Sequence, residues 1–569
     1  MSSRTFWRIA AVFVVALGSL LGGIIGGFAS NPLLAGRNAT GPAAAVEGSY
    51  TEALGVVAGE YAEEIDYEKA SHAAIQGMLL ALDPHSNYFA PAEYTRLMQD
   101  QEARYVGIGV SILRHRDGVY VQSPLPDTPA ARAGLRFGDL IAEVDGQDAR
   151  EWTTAQTAKA VRGEPGKPVS LKIMRAGSEV PEHFQIVRAS VPQSSVRDAY
   201  IVRPGTGYVA LGSFNHKTTD ELREALERLR TEGMRQLVLD LRNNPGGLLD
   251  QSISVASLFI ERGKTIVSVR GREGERERVY RSVGTDPVDY PLVVLINRNS
   301  ASAAEIVAGA VQDHGRGLVV GETSFGKGLV QKVYPLPYGA GLTLTTAKYY
   351  TPYGRLIQRN YTSGSYYDYV TRRDEEDEQQ SALPLSPAQA APPGPEAAPA
   401  PQPTPTGTAV TAAGGRVFYG GGGIAPDHGI KPRNVNTPLR GRVFDATFHF
   451  ARLLAAGQAP GFENFRAPAE PQFGRFPRPT DFTINDRVVE AFREFVRRDP
   501  AHALTTAQVD AEVEYVRLRL REDLVTASFG GDAGARVILE GDPQLLRALE
   551  LFTEAKQLAE NIGRAAATN

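Results

Sequence analysis

Residues 292–331 read LVVLINRNSASAAEIVAGAVQDHGRGLVVGETSFGKGLVQ. The run 292–297 is apolar on both alternating faces, as a strand buried on both sides must be. After a polar turn, Ser302-Ala303-Ala304-Glu305 matches the Ser-x-x-Glu start of a helix, and the apolar spacing carries that helix from 303 to 312. A second apolar run, GLVVGE, follows at 317–322. Strand, helix and strand in so few residues predict a parallel unit of an α/β core.

Working outward, 207–214 (GYVALGSF) and 236–242 (QLVLDLR) read as further strands, with a helix between them from 220 to 232. Upstream, residues 105–188 hold five short strand-like runs at 107–113, 118–124, 139–146, 169–175 and 183–189. Helical pieces starting at Pro129 and near Thr154 complete a small β-barrel module. Residues 45–95 read as helical, with Tyr50, Leu54, Val57 and Tyr61 on one face, and include the turn-rich LDPHSNY at 82–88.

Downstream, an acidic run at 374–378 precedes a Pro/Ala/Thr tract from 381 to 411. Such a tract has too few apolar side chains to pack and is expected to be an extended linker. Tyr419 and four glycines lead into a final helical region. There Val488, Phe492 and Phe495 form one apolar stripe, and Val509, Val513, Val516 and Leu520 another.

The expected fold is therefore a multidomain α/β (α+β) chain, with the β-barrel module before an α/β core and helical regions at both ends. The divisions are 1–30 (membrane signal or anchor), 45–95 (helical), 96–190 (β module), 195–435 (core, with a linker insertion at about 374–412) and 436–569 (helical).

Composition narrows the function classes. With 42% hydrophobic and 22% charged residues the chain is globular, and 569 residues suffice for several cores. A formal charge of -4 and a pI of 6.2 give no electrostatic basis for a nucleic-acid partner. Cysteine is absent, which excludes disulfides, thiol nucleophiles and cysteine metal sites. Nine histidines are present with no His-x-x-x-His pair, so they read as surface or packing residues, and no metal or cofactor is expected. Residues 1–8 carry two arginines and no acid, and 9–29 are apolar, Gly, Ala and a single Ser. That run of 21 exceeds the roughly 7–15 of a cleaved signal and approaches the roughly 20 of a bilayer span. The expectation is an uncleaved inner-membrane anchor with the body exported to the periplasm or another extracytoplasmic face.

Ser302 has two readings: a helix cap, or a nucleophile whose oxyanion would meet the free N–H groups of the helix start. A nucleophile needs a base. His314 lies twelve residues along, about 18 Å if the helix continues. Lys327, between Gly326 and Gly328 after an apolar strand, is the better candidate. Its amine must fall from about 10.4 to near 7 to act, and burial supplies shifts of that size. Gln331, four residues on, shares its face and can hold the amine without charging it. Gly321 to Lys327 also fits Gly-x-x-x-x-Gly-Lys, the phosphate loop, but Gly328 stands where a Ser or Thr is required. Chemistry alone does not separate Ser302 from Ser300.

These blocks resemble the C-terminal processing (tail-specific) serine peptidases, a family that carries a PDZ domain. The resemblance rests on Asn297 to Glu305, on Phe325-Gly326-Lys327-Gly328 with Gln331, on Asp240 to Gly247, on Tyr349 to Arg355 and on Gly422 to Asp427. It implies Ser302 as nucleophile, Lys327 as general base and Gln331 as its orienting partner. It also implies an oxyanion hole from the backbone N–H of Ala303 and of one of Gly246 and Gly247. The module from Tyr105 resembles the PDZ domain: Gly107-Ile108-Gly109-Val110 is placed like the loop that captures a C-terminal carboxylate, and Pro129 to Asp139 strengthens the match. Ala304 replaces a commonly seen second serine, and nothing after 435 matches a family block.

The expected function is a cofactor-free, Ser-Lys serine endopeptidase that engages and cleaves accessible, apolar C-terminal tails of exported proteins, with an adaptor or activator as a further partner. The alternatives are a catalytically silent PDZ scaffold and a phosphate-loop nucleotide hydrolase.

Overall fold

The apolar run at 292 forms strand Leu292–Ile296, buried along its whole length and central in a six-stranded sheet. The sheet order is Val196–Arg203, Thr206–Leu211, Gln236–Asp240, Leu292–Ile296, Leu318–Gly321 and His428–Gly429. From Thr206–Leu211 onward every pairing is parallel. Val196–Arg203, which the sequence reading did not mark as a strand, pairs antiparallel as a hairpin at the edge. This is a computed structural model, and it describes residues 42–102, 104–273, 275–284, 288–360, 407–433 and 437–568.

One face of the sheet is covered by helices Thr218–Thr231, Leu249–Ser257 and Ala303–Asp313, whose Leu222, Val255 and Val307 interlock with Leu239 and Val294. The opposite face is covered by the far end of the chain. Helices Pro543–Glu550 and Phe552–Thr568 bring Leu545, Leu551 and Phe552 against Val238, Val293, Leu295 and Val320. The last helical region is thus one layer of the core rather than an appendage. Buried polar bonds fix its docking: Arg242 donates to Asp240 at 2.6 Å, to Asp542 at 2.9 Å and to Gln544 at 2.9 Å. Arg536 donates to Asp198 at 2.6 Å.

A second sheet, not foreseen from the sequence, is antiparallel around strand Gly341–Tyr350. Its partners are Leu329–Pro335, Asn87–Phe89 and Thr265–Arg270, the last pairing on with Arg278–Arg281. The segment at 82–88 therefore ends in a core strand, and the helix after it, Pro91–Gln101, runs beyond the expected boundary at 95.

The PDZ-like module orders its main strands Val110–His115, Gly118–Pro124, Leu140–Val144, Pro168–Met174 and Glu182–Val187. Val110–His115 is an edge strand, and helix Thr154–Val161 lies alongside it. That helix opens with a capping box between Thr153 and Gln156. The remaining C-terminal helices have their own core, in which Val488, Phe492, Val509, Val516 and Leu520 are buried. The stripe expected through Val509 and Val513 is divided between two helices, Thr506–Ala511 and Val513–Phe529.

The chain divides into two compact units, Met1–Met78 and Leu79–Asn569. In the first, helix Pro42–Glu60 presents Tyr50, Leu54 and Val57, followed by Tyr61; all four are exposed rather than packed as a core stripe. The expected anchor at 9–29 lies outside the described residues, and so does the linker up to 406. The expected end of the linker near 412 is corrected, because Ala409–Thr411 is a strand paired with Val417–Tyr419. Among the described residues no helix is long and apolar enough to cross a membrane.

Candidate active site

Ser302 is the residue before helix Ala303–Asp313 and sits at φ 55, ψ -115. Positive φ in a non-glycine residue is strained and persists only where surrounding bonds impose it. Here the Ser302 N–H donates to Glu305 Oε2 at 2.8 Å. The Glu305 N–H goes to the Ser302 carbonyl at 2.9 Å, and the Ser302 side chain faces the same N–H in a capping-box arrangement. The cap pattern is therefore present, and the Ser302 hydroxyl is left half-buried beside the helix start.

Ser300 differs. It is fully buried, its Oγ donates to the Leu241 carbonyl at 2.8 Å, and the same Oγ accepts from Asn297 N–H at 2.9 Å. It fastens the turn, and this separates the two serines on physical grounds.

Gly246 lies against Ser302 so closely that a Cβ there would stand 2.7 Å from the Ser302 Cβ and 2.9 Å from Ala303 N. The approach is held by Asn244, whose carbonyl accepts from Ala301 N–H at 2.9 Å and whose side chain bonds Leu211 O at 2.8 Å. The Asn244 Oδ1 also takes the Gly246 N–H, at 2.8 Å. Of the N–H groups expected to face an oxyanion, Gly246's is thus already occupied. Those of Ala303 and Gly247 have no partner among the described residues, and Gly247 is exposed where Gly246 is buried.

Lys327 lies in the loop between Leu318–Gly321 and Leu329–Pro335. Its Nζ donates to Gln331 Oε1 at 3.0 Å, and Gln331 Nε2 donates to the His85 carbonyl. Burial pushes the Lys327 amine below its usual range, against the opposing pull of the Glu305 and Asp83 carboxylates. Burial first, then Lys327, holds the His85 imidazole down at about 4. His85 rests on Asp83, whose Oδ1 accepts from the His85 and Ser86 N–H groups at 2.8 and 2.9 Å. Sequence reasoning took 82–88 for punctuation and missed this support; the Asp-Pro-His-Ser run, a self-bonding turn, was the available signal.

Glu305 was also undervalued as a simple cap. It is fully buried and accepts four hydrogen bonds: Oε2 from the N–H groups of Ser302 (2.8 Å) and Lys327 (2.9 Å), Oε1 from Gly326 N–H (2.7 Å) and Ser324 Oγ (2.5 Å). Burial nonetheless raises its pKa. The Tyr349 hydroxyl makes a second bridge, donating toward the carbonyls of Ser302 (3.1 Å) and Lys327. Two side chains thus tie the serine and lysine backbones into one rigid piece.

The same bonds remove the phosphate-loop alternative. Amides of the loop are occupied: Ser324 by Ile424 O, Phe325 by Ser300 O, Gly326 and Lys327 by Glu305, and Gly328 by Gln358. An anion cradle needs those N–H groups free.

Gly107-Ile108-Gly109-Val110 stands apart from this centre, at the start of the free-edged strand. Gly109 has φ +77 and packs on Thr128, leaving no space for a Cβ, and the Gly109 carbonyl accepts from Thr128 Oγ1 at 3.0 Å. A cavity of about 1710 Å³ runs from Tyr105 and Thr128 beside this loop to Asn243, Pro245 and Asn297 beside Gly246. Neither Ser302 nor Lys327 lines it.

Residues 205–369 match the family described as peptidase family S41, and residues 106–181 match the PDZ domain. A carboxy-terminal-processing protease of Bartonella bacilliformis is 42% identical over 305 residues, covering 52% of this chain and 69% of that protein. The carboxy-terminal processing protease CtpB of Bacillus subtilis is 33% identical over 360 residues, covering 61% and 75%. Among solved structures, a photosystem II D1 C-terminal processing protease shares 32% identity, covering 54% of this chain and 83% of that one with a TM-score of 0.33.

Proposed function

The chain belongs to peptidase family S41, the serine-type carboxy-terminal-processing proteases, and from that premise we propose that Ser302 and Lys327 form its catalytic dyad. Ser302 Oγ attacks the scissile carbonyl while the neutral Lys327 amine takes its proton. The oxyanion is held by the N–H groups of Ala303 and Gly247. Lys327 then protonates the leaving amine, and water, activated by the same lysine, hydrolyses the acyl ester. Gln331 holds the amine at 3.0 Å as an acceptor that carries no charge.

The observation that carries this reading is the double hold of Glu305 on the backbones of Ser302 and Lys327. It fixes nucleophile and base relative to each other before substrate arrives, which is how an enzyme avoids reorganisation during the reaction.

Substrates are proteins with accessible, apolar C-terminal tails. A tail adds as a strand to the free edge of Val110–His115, its carboxylate at the Gly107–Val110 loop. The cavity leads onward from there toward the Gly247 turn. In this reading residues 96–190 are the PDZ domain and 195–435 the peptidase core. Export, with anchoring through residues 9–29, is supported by the paired arginines and the uninterrupted apolar run.

The test is to incubate the purified full chain with a protein ending in an apolar tail and identify released peptides by mass spectrometry. Peptides released by wild type and absent with Ser302→Ala and Lys327→Ala are expected. Equal release by all three would remove the dyad, and no release by any would favour a silent scaffold.

A further inference from the structure

Three histidines and three aspartates converge where the PDZ-like module meets the C-terminal helices, far in sequence from the dyad. Asp445 and His449 stand one turn apart on helix Pro438–Ala455 and so share a face. His115 ends strand Val110–His115, and Asp117 lies in the turn after it. The sequence reading sought His-x-x-x-His and found none. The pattern present is Asp-x-x-x-His on one element, completed by a histidine and an aspartate from another.

The donor atoms stand close enough to share one ion. His115 Nδ1 is 3.2 Å from Asp445 Oδ1, a hydrogen bond when no ion is bound. His449 Nε2 is 3.7 Å from the same oxygen and 3.5 Å from Asp117 Oδ1. One donor atom from each of His115, Asp445 and His449 lies within 4.8 Å of the other two. Ligands at about 2.0–2.1 Å from a tetrahedral ion stand roughly 3.3 Å apart.

Packing alone leaves several ring nitrogens here without a hydrogen-bond partner, His115 Nε2 among them. The His449 side chain is 9% exposed, yet its Nε2 has no hydrogen-bond partner while pointing between two carboxylates. A buried polar atom without a partner is destabilising. Behind Asp445, the fully buried His502 is in the same state at both ring nitrogens. Outer contacts of the kind that orient metal ligands are present: the Tyr120 hydroxyl donates to Asp117 Oδ2 at 2.9 Å, and Arg116 N–H donates to Asp445 Oδ1 at 3.1 Å. The Arg116 guanidinium is turned chiefly to Asp499, at 2.6 Å, so the carboxylates outnumber the cation beside them.

We propose that His115, Asp445 and His449, with Asp117 as fourth donor, bind one divalent first-row transition metal ion that joins the PDZ-like module to the C-terminal helices. Two imidazoles and two carboxylates suit Zn²⁺ and Co²⁺ and disfavour Mg²⁺ and Ca²⁺, which take oxygen donors. The ion's role is to fasten the module, because its ligands come from both sides of that contact. It takes no part in the reaction at Ser302.

The experiment uses the full chain stripped with chelator. Titration with Zn²⁺ alone, followed by calorimetry and by metal analysis after desalting, is expected to give one ion per chain. His449→Gln and Asp445→Asn are expected to weaken binding at least about 100-fold, while the exposed His183→Gln binds like wild type. Co²⁺-loaded wild type, which needs no substitution, is expected to give the intense visible bands of a tetrahedral centre that Zn²⁺ abolishes. Amide exchange in Val110–His115 is expected to slow on adding Zn²⁺. Substoichiometric retention by wild type, unchanged affinity in the two ligand variants, or an octahedral Co²⁺ spectrum would each overturn the site.

Discussion

Lys327 is joined to Glu305 through its backbone and not through its charge: its N–H donates to Glu305 Oε2 at 2.9 Å, while its amine turns to Gln331 at 3.0 Å. A direct ion pair would keep the amine protonated. The arrangement uses the carboxylate as a clamp on the chain and leaves desolvation to lower the amine's pKa.

Glu305→Gln replaces one acceptor oxygen with a donor facing other donors. Stability is expected to fall by about 1–3 kcal/mol, measured by urea unfolding. Losing the carboxylate also removes a charge that raises the Lys327 pKa. Whatever activity remains should therefore show its rising limb at lower pH than wild type.

Lys327→Met is expected to abolish tail cleavage and to stabilise the fold at pH 7 by about 0.5–2 kcal/mol. The sign follows from proton binding. The folded amine has a lowered pKa, so between that value and the ordinary one near 10.4 the unfolded chain holds the extra proton. Wild-type stability must rise with pH across that window. The Met variant lacks that slope, and the two stabilities should converge toward pH 10.

The His85 imidazole, held at about 4 against 6.5 when free, predicts a second pH effect. Below 6.5 the unfolded chain takes a proton the folded one refuses, so wild type loses stability as pH falls toward 4. His85→Gln should flatten this dependence by no more than about 1.4 kcal/mol per pH unit, read from unfolding at pH 6.5, 5 and 4.

Tyr349→Phe removes one of the two bridges between the serine and lysine backbones. The expected cost is about 1 kcal/mol in the transition state, roughly fivefold in kcat, with KM nearly unchanged. A change confined to KM would assign Tyr349 to substrate binding instead.

Asp542 caps its helix, accepting from Leu545 N–H at 2.7 Å, and pairs with the buried Arg242. Asp542→Ala therefore removes a cap and one of the two carboxylates on Arg242, with Asp240 remaining. A loss of about 2–4 kcal/mol is expected, seen as a lowered melting temperature.

The strand-helix-strand core was legible because residues 292–321 carry an uninterrupted apolar run, a capping pattern and a second run, each a local signal. The contact of Lys327 with Gln331 was legible in their four-residue spacing, whereas Ser302 stood out from Ser300 only through the family resemblance. Less visible was anything that depends on residues distant in sequence. The second sheet joins Asn87 to Thr343, and no local pattern announces such a pairing. Gly246 and Gly247 look equivalent in sequence, and only the side chain of Asn244 separates them. Tyr50, Leu54, Val57 and Tyr61 have the period of a core stripe, yet periodicity says which residues share a face and not whether that face is covered.

The second face of the peptidase sheet is closed by helices that reach it across 300 residues, as the pair Arg242 and Asp542 records. Contacts so remote form late, because the intervening chain must be ordered first. While the protein is being synthesised, Val238, Val293, Leu295 and Val320 remain open to water until residues 543–568 arrive. Strand Leu292–Ile296 thus acquires its backing only when nearly the whole polypeptide has emerged, and in the interval the growing chain presents an apolar surface for chaperones or for aggregation.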